Sequence, residues 1–564
     1  MVSLADVRAW SPAALEDIFS LLQARTQTLI NDGDDFAKTL PVVGWSGDAA
    51  DNAAAQHRAL TRGLDTVAAG AAALGKTIAQ AADAITGVQS ALTNAEELAH
   101  KYGYQITDAG AVADAFAGQQ VPPDLNPQDR ARTHTQLVDD VAQILRTADD
   151  IDTDLASVLD RAAAGQFGTG DESTVAAAAA DGVKDPGLTL PEPPPHATPA
   201  ENAAWWATLS AAGQAILLRD HPDWLGNRDG LPAAVRSQAN MARLPAERAA
   251  LEQQRTAAQA MIEQAKAVYD PSGGIMKAAL GQLQQANDKL ASLDAIATTM
   301  GQGGRQLLLL DTTHPRVEAA IAVGDVDKAR NVAVFTPGFT TTVDGSLGKY
   351  DQNMNDLKGM ANDITDRHGG GPTATVTWIG YQAPQWDGVA DPSQSVASPE
   401  LAKAGGDSLA KFYNGIGAGH DASNTPLHLT ALGHSYGSTT TGFALGHDTP
   451  VDDAVLFGSP GQGSDHLNVP RGHLFNEHDA GDDLVPNIHG TLGPSPYYSP
   501  DAMSQYHQMS TDASATELGQ LNATSGHSGY LDGKSTSLYN MAAITTGHPD
   551  LAQYKGTVIA GAPR

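Results

Sequence analysis

The sequence predicts an α/β domain at the C-terminus and an all-α region before it, and two observations carry this prediction. In the second half of the chain, short apolar runs of strand length recur at 331–336, 427–432, 451–457 and 472–476. In the first half, apolar residues instead recur at three- and four-residue steps, through long stretches rich in Ala and Leu. Strands that alternate with helical segments are typical of the α/β class.

The first 108 residues predict a helical hairpin. A helical pattern runs over 12–37 behind the start signal Ser11-Pro12, and a second runs over about 49–100. The loop between them carries Trp45-Ser46-Gly47, and Tyr104 and Asp108 complete a Y-x-x-x-D pattern just beyond the second helix. The arrangement resembles the WXG100 helical hairpin of type VII secretion substrates. The resemblance implies a type VII secretion machinery or WXG100-type partner and export to the cell envelope. The alternative is a cytoplasmic protein whose hairpin docks or dimerises.

The middle of the chain predicts further helices joined by a linker. Residues 109–164 have a helical pattern, and the stretch 165–199 is poor in large apolar residues. Within that stretch, Pro191-Glu192-Pro193-Pro194-Pro195 predicts a semi-rigid linker. A long helical region follows at 243–299, with a break near 270–274.

The most informative motif is Gly433-His434-Ser435-Tyr436-Gly437, which reads G-x-S-x-G. A predicted strand precedes the motif, and a segment that could open a helix follows it. Strand, glycine-flanked serine and helix together form a nucleophile elbow, in which the sharp turn presents the serine hydroxyl above the sheet. The sequence therefore predicts Ser435 as a nucleophile.

A nucleophilic serine needs a histidine base and a carboxylate that orients the base, in the chain order serine, acid, histidine. Asp483 is the first choice for the acid, because it follows the strand after the elbow unit in a D-x-V-P context. Asp482 and Asp479 remain alternatives. His527 is the favoured base, since it lies in a loop of small residues ahead of a helix-like stretch. The other histidines beyond the acid are His489, His507 and His548.

An oxyanion hole needs two backbone N–H groups that point at the developing charge. One is expected from Tyr436, the residue after the nucleophile. The other is expected from Phe339 or Thr340, because the strand at 331–336 ends in a loop of this position. Gly338 would let the backbone of that loop approach the serine.

Several motifs together resemble a known family. They include VAVFTPGFTTT, VTWIGYQAP, GHSYGS, LFGSPG and HSGYL, together with Trp205-Trp206 and the stretch from Gly226 to Pro232. They are similar to the actinobacterial α/β-hydrolase family formerly catalogued as a domain of unknown function, over about residues 201–564. The resemblance implies a serine hydrolase of cutinase- or lipase-like topology, and it does not imply a substrate. The first hypothesis from the residues is a serine esterase or lipase that cleaves carboxylic, lipid-type esters through an acyl-enzyme and needs no cofactor or metal. The rival hypothesis is a secretion-associated interaction protein with weak or vestigial hydrolase activity.

These features predict four regions. They are a WXG100-like hairpin (1–108), a helical extension with a Pro-rich linker (109–200), a helical region of the hydrolase family (201–300) and an α/β-hydrolase catalytic domain (301–564).

Composition narrows the function classes. The 564-residue chain has a formal net charge of −31, so a nucleic-acid partner is not expected, because the phosphate backbone would repel such a surface. There are no cysteines, which excludes a cysteine nucleophile, disulfides and thiolate zinc sites. The sequence shows no ordinary signal peptide at its start and no apolar run long enough for a transmembrane helix.

Overall fold

The computed structural model describes residues 2–39, 42–123, 125–167, 174–267, 273–388, 391, 393–482, 484 and 490–555. The chain forms two compact units, unit 1 over Met1–Ile216 and unit 2 over Leu217–Arg564. No helix among the described residues is both long and apolar enough to span a membrane.

Unit 1 is mainly helical, with one small antiparallel strand pair. Its elements are α1 (Leu4–Ala9), α2 (Pro12–Ala37), α3 (Asp48–Lys101), β1 (Tyr104–Ile106), β2 (Val112–Asp114), α4 (Pro127–Ala163), α5 (Val175–Gly182), α6 (Pro199–Ala207) and the start of α7 (Ala211–Asp220).

The predicted helical hairpin corresponds to α2 and α3, which pack against each other. Trp45 lies in the connecting loop and keeps 47% of its surface exposed. The main core of unit 1 joins Leu92 of α3 to Leu137 and Ile144 of α4. Since this core draws on residues before and after position 108, both segments contribute to one folding unit. The division into four regions stays a prediction.

The segment after α3 differs from the prediction of continuous helix over 109–164. Residues 112–114 form β2, which pairs with β1, and α4 begins only at Pro127. Gly110 supplies the positive φ of 82° at the turn between the two strands. Tyr104 of β1 is buried, and its hydroxyl donates to the carbonyl oxygen of Arg130 at 2.9 Å. The tyrosine of the Y-x-x-x-D pattern thus serves the packing of its own unit.

The predicted low-apolar stretch at 165–199 also contains a short helix, α5. Thr174 caps it by accepting the N–H of Ala177, and the buried face of α5 consists of Val175, Ala178, Ala179 and Gly182. Small side chains are enough for this burial, so the absence of large apolar residues from the stretch did not exclude a helix.

Unit 2 is an α/β domain. Its helices after α7 are α8 (Pro222–Leu225), α9 (Ala233–Ala267), α10 (Gly274–Met300), α11 (Val343–His368), α12 (Glu400–Ala422), α13 (Tyr436–Leu445), α14 (Pro500–Met503) and α15 (Thr536–Thr545). Its strands are β3 (Arg305–Asp311), β4 (Glu318–Val323), β5 (Asn331–Thr336), β6 (Thr373–Ile379), β7 (His428–His434), β8 (Asp453–Phe457), β9 (Leu474–Glu477), β10 (His507–Met509), β11 (Ser514–Thr516) and β12 (Gly519–Leu521).

The main sheet of unit 2 has eight strands among the described residues, in the order β10-β9-β8-β7-β5-β6-β4-β3. Strand β4 runs antiparallel to both of its neighbours, and all other pairs are parallel. The carboxyl ends of the parallel strands therefore meet at one edge, where ligands bind in open α/β sheets. The mixed sheet confirms the predicted fold class.

Side-chain alternation in the central strands builds a core on each face of the sheet. Val332 and Val334 of β5 join the cluster that includes α12 and α13, whereas Ala333 and Phe335 join the cluster of α11 and α15. Because both faces are covered, the strand is buried along its whole length, which explains its continuous apolar sequence.

The motif from Gly226 to Pro232 protects an edge of this sheet. Asn227 pairs with the backbone of Leu310 in β3, accepting its N–H at 2.9 Å and donating to its carbonyl oxygen at 2.8 Å. On α9, Ser237 accepts the N–H of Leu307 at 2.9 Å, and Asn240 donates to the carbonyl oxygen of Leu307 at 3.1 Å. These side chains satisfy backbone groups that an edge strand would otherwise offer to another chain. This part of the resemblance thus reflects the fold rather than the chemistry.

Candidate active site

Ser435 lies on a sharp turn between β7 and α13, at the carboxyl edge of the sheet. Its backbone has φ 55° and ψ −131°, which is strained for a residue with a side chain. The strain is supported on both sides of the turn: the Ser435 N–H donates to Phe457 at 3.1 Å, and the Ser438 hydroxyl donates to the Ser435 carbonyl at 2.6 Å. A Cβ at Gly437 would lie 2.2 Å from the carbonyl oxygen of Thr336, so only glycine fits there. The predicted elbow is thus present in its structural context.

His527 joins the serine to a buried carboxylate. Its Nε2 lies 2.8 Å from Ser435 Oγ, and its Nδ1 lies 2.9 Å from Asp482 Oδ2. The Asp482 side chain is fully shielded from solvent and also accepts hydrogen bonds from the Tyr530 hydroxyl at 3.1 Å and the Leu484 N–H at 3.2 Å. With Nδ1–H held by the carboxylate, Nε2 is left to face the serine as an acceptor.

The carboxylate at His527 belongs to Asp482, one of the two alternatives to the first choice. Asp483 itself lies outside the described residues. Asp482 closes a turn in which its N–H donates to the Asp479 carbonyl at 3.0 Å, and this turn directs the side chain back under His527. Asp479 accepts the Gly526 N–H at 2.8 Å and so holds the histidine loop instead of the imidazole. The roles of Asp482 and Asp479 are thus distinguished only by this turn geometry.

The other histidines considered from the sequence do not approach Ser435 where they are described. His507 lies in β10 and stacks on Phe475 with ring centroids 5.3 Å apart. His548 contacts the carbonyl oxygen of Gly369 at 3.2 Å. His489 lies outside the described part of the chain.

The oxyanion loop follows β5 and lies against the elbow. A Cβ at Gly338 would be 2.8 Å from both Ser435 Cβ and Tyr436 N, so glycine permits this close approach. The Thr340 N–H donates to the Pro384 carbonyl at 2.9 Å. Among the described residues, no backbone carbonyl accepts a hydrogen bond from the N–H of Phe339 or of Tyr436. Of the two candidates on this loop, Phe339 is therefore the one whose N–H is left for a ligand.

A cluster of three aromatic side chains, His434, Phe457 and Tyr530, supports His527, and the sequence did not predict a role for this cluster. His434, the second residue of the elbow motif, donates from Nε2 to the His527 carbonyl at 2.7 Å and stacks on Phe457 with centroids 5.1 Å apart. Burial and the neighbouring His527 lower the pKa of His434 to about 3, so it is neutral and donates one proton. Burial also raises the pKa of Tyr530, whose hydroxyl donates to Asp482. His434 belongs to the G-H-S motif and Tyr530 to the H-S-G-Y motif, but neither motif predicts a contact between residues so far apart in sequence.

One group of residues with metal-ligand chemistry lies at the same sheet edge, near the β3–β4 turn. The ligand atoms of Asp311, His314 and Glu318 lie within 4.8 Å of one another. Glu318 already accepts Gln382 Nε2 at 2.7 Å, and Asp311 accepts the Thr313 N–H at 2.7 Å. The group lies on β4 and β3, which are three and four strands away from β7 in the sheet, and it includes no residue of the Ser435 site.

Comparison with known proteins agrees with this geometry. A family profile described as Alpha/beta hydrolase matches residues 313–494, a range that includes Ser435, Asp482 and the oxyanion loop. The uncharacterized protein Mb0988c of Mycobacterium bovis is 37% identical over 223 residues, covering 37% of this chain and 80% of that protein. The uncharacterized protein Rv2079 of Mycobacterium tuberculosis is 32% identical over 276 residues, covering 48% of this chain.

The chain spans 40% of the length of Rv2079. No solved structure gives a significant match. The profile, the relatives and the sheet topology agree, and the chain belongs to the alpha/beta hydrolase family.

Proposed function

We propose that this chain is a serine hydrolase that cleaves carboxylic esters through an acyl-enzyme. The observation that carries the proposal is the continuous chain of contacts from the strained Ser435 through His527 to the buried Asp482. A serine, a histidine and a carboxylate in this arrangement constitute the nucleophile, base and orienting group of acyl transfer.

In the first half-reaction, Ser435 Oγ attacks the ester carbonyl carbon while His527 Nε2 takes the hydroxyl proton. Asp482 keeps the proton on Nδ1 and stabilises the imidazolium that forms. The carbonyl oxygen becomes an oxyanion, which the N–H groups of Tyr436 and Phe339 would bind; each such donor contributes about 3–4 kcal/mol to the transition state. Collapse of the intermediate expels the alcohol, which takes its proton from Nε2.

In the second half-reaction, water replaces the alcohol. His527 Nε2 removes a proton from the water as it attacks the acyl carbon, and the same donors bind the second oxyanion. Collapse returns the proton to Ser435 Oγ and releases the carboxylic acid. All the groups used belong to this chain.

The direct test is ester hydrolysis by the wild-type chain and by Ser435→Ala. We expect the variant to lose at least about 10³-fold in kcat for p-nitrophenyl butyrate, because no other group can form the acyl-enzyme. Circular dichroism would check that the variant is folded. A folded variant that hydrolyses the ester at the wild-type rate would refute the proposal.

A second proposal concerns unit 1, which we suggest acts in type VII secretion. It is supported by the α2–α3 hairpin, whose connecting loop exposes Trp45. The test is to follow the full-length chain in the culture filtrate of an actinobacterial host, beside Trp45→Ala and the control Val43→Ala, a fully exposed position in the same loop. Export of the wild type and the control, but not of Trp45→Ala, is expected. Absence of the wild type from the filtrate would contradict this role.

A further inference from the structure

Exposed apolar side chains flank the candidate site on two sides. The Trp386 side chain is 75% exposed, and Leu484 is 44% exposed. Trp386 contacts Phe339, with ring centroids 4.6 Å apart and the rings inclined at 73°. On the other side, the Leu484 N–H donates to Asp482. Exposed apolar groups beside a site are typical of surfaces that bind an apolar ligand.

The segment that carries Trp386 is fastened to the oxyanion loop. The Tyr381 hydroxyl donates to the Pro337 carbonyl at 2.7 Å. Gln385 Nε2 donates to the Thr341 carbonyl at 3.2 Å, beside the bond from Thr340 to Pro384. The segment that carries the indole is therefore held next to Phe339.

Phe339 connects the indole to the reacting atoms. It follows Gly338, which lies against Ser435 and Tyr436, and its half-buried ring packs on the core of the sheet. An ester whose carbonyl oxygen is bound by the Phe339 N–H would lie next to this residue. An alkyl chain that leaves the ester along Phe339 would next meet the indole of Trp386.

We propose that Phe339 and Trp386 form an apolar subsite that selects esters carrying a long alkyl chain. The inference rests on the proposed ester hydrolysis at Ser435 and names the class of substrate for that same site. Trp386 is the specificity-determining residue, because it reaches the site only through its ring contact with Phe339, whereas Phe339 also contributes its backbone to the oxyanion hole. The overall charge of −31 fits a neutral apolar chain better than an anionic one.

The test compares chain-length preference at monomeric substrate concentrations. One series varies the acyl chain, using p-nitrophenyl acetate, butyrate and octanoate; a second varies the alcohol, using ethyl, butyl and octyl acetate. In Trp386→Ala, the ratio of kcat/KM for the longest to the shortest ester should fall about tenfold in one of the two series, which identifies the side that holds the chain. Trp386→Phe should retain most of the ratio. Leu280→Ala, a 50% exposed position on α10, should leave both series unchanged.

Three results would overturn the subsite. An unchanged ratio in both series would show that the indole does not contact the chain. An equal loss for all chain lengths would mean that Trp386 only positions the oxyanion loop. A loss confined to vesicles of neutral phospholipid would mean that the indole adsorbs to lipid surfaces instead. Ser435→Ala separates these outcomes from the mechanism: if it stays active, the proposed function fails whatever Trp386 does.

Discussion

Two histidine–aspartate pairs lie at opposite edges of the same sheet in unit 2. At the carboxyl edge, His527 contacts Asp482 and Ser435. At the amino edge, where β7 and β8 begin, His428 Nε2 lies 2.7 Å from Asp453 Oδ2. The second carboxylate oxygen of Asp453 lies 2.7 Å from His473 Nδ1. Both aspartates are almost completely buried.

The two pairs differ in the group that contacts the second nitrogen of the imidazole ring. His527 Nε2 meets a hydroxyl, which can give up its proton. His428 Nδ1 meets the Thr545 carbonyl at 2.9 Å, which can only accept a hydrogen bond. Burial opposes the charged form, but the hydrogen bond to Asp453, the negative charges of Asp453 and Asp452 and the hydrogen bond to Thr545 together outweigh it, so the pKa of His428 is raised. Of these two buried histidine–aspartate pairs, only the one beside a hydroxyl therefore has the arrangement that we propose for a base.

The sharpest way to break this comparison is to remove one carboxylate charge at a time. Asp482→Asn should lower kcat/KM for p-nitrophenyl butyrate by about 10³–10⁴-fold, because an amide no longer fixes the histidine tautomer. Asp453→Asn is the matched control at the opposite edge and should stay within about threefold of the wild type, a range typical of changes remote from the reacting atoms. Comparable losses in the two variants would contradict the division of roles.

A second prediction concerns the neutral histidine that supports the active-site loop. The folded-state pKa of His434 is about 3, below the ordinary value of about 6.5, so its contribution to stability is present above pH ~6.5 and is lost as the pH falls toward 3. His434→Gln keeps an N–H donor but cannot titrate. Between pH 7 and pH 4.5 the wild type should lose about 2–3 kcal/mol more unfolding free energy than the variant. Urea unfolding at both pH values measures this difference, and parallel losses would refute it.

The smallest expected effect lies at the amino edge. Burial raises the pKa of Asp453, but the hydrogen bonds from His428 and His473 outweigh it and lower that pKa. The contribution of Asp453 to the unfolding free energy is therefore present above the ordinary aspartate pKa of about 4, and it is lost as the pH falls through the lowered pKa. The His428 contribution is complete below about 6.5 and lost as the pH rises through its raised pKa.

The two contributions overlap between about pH 4 and pH 6.5. Asp453→Asn should therefore cost about 1–2 kcal/mol of unfolding free energy at pH 5.5 and less at pH 9. Urea unfolding of the wild type and the variant at the two pH values measures the cost. An equal cost at both would show that His428 is not charged in the folded protein.

The sequence sufficed for features that local chemistry determines. Each central strand is a continuous apolar run, and the glycines of the elbow report a turn that tolerates no larger side chain, so Ser435 and its flanking strand and helix were predictable. The contact of His527 with Ser435 was also predictable, because small residues surround His527 ahead of a helix, and its role as the base stays a prediction. The family assignment followed from several such segments together.

What the sequence could not resolve depends on contacts between distant segments. The contact of His527 with Asp482 instead of Asp479 depends on a turn that closes at Asp482. The choice of Phe339 over Thr340 depends on a carbonyl of Pro384, which follows another strand. The strand at 112–114 exists because it pairs with β1, and local periodicity carries no sign of that pairing.

The measurement that tests the central claim most directly is covalent labelling of the full-length chain by a fluorophosphonate, followed by peptide mass spectrometry. An activated serine is required for rapid phosphonylation. We predict a single adduct on Ser435 in the wild type and in Asp453→Asn, strongly slowed labelling in Asp482→Asn, and none in Ser435→Ala. An adduct on another serine, or no adduct on the folded wild-type chain, would contradict the assignment of Ser435, His527 and Asp482 as the catalytic residues.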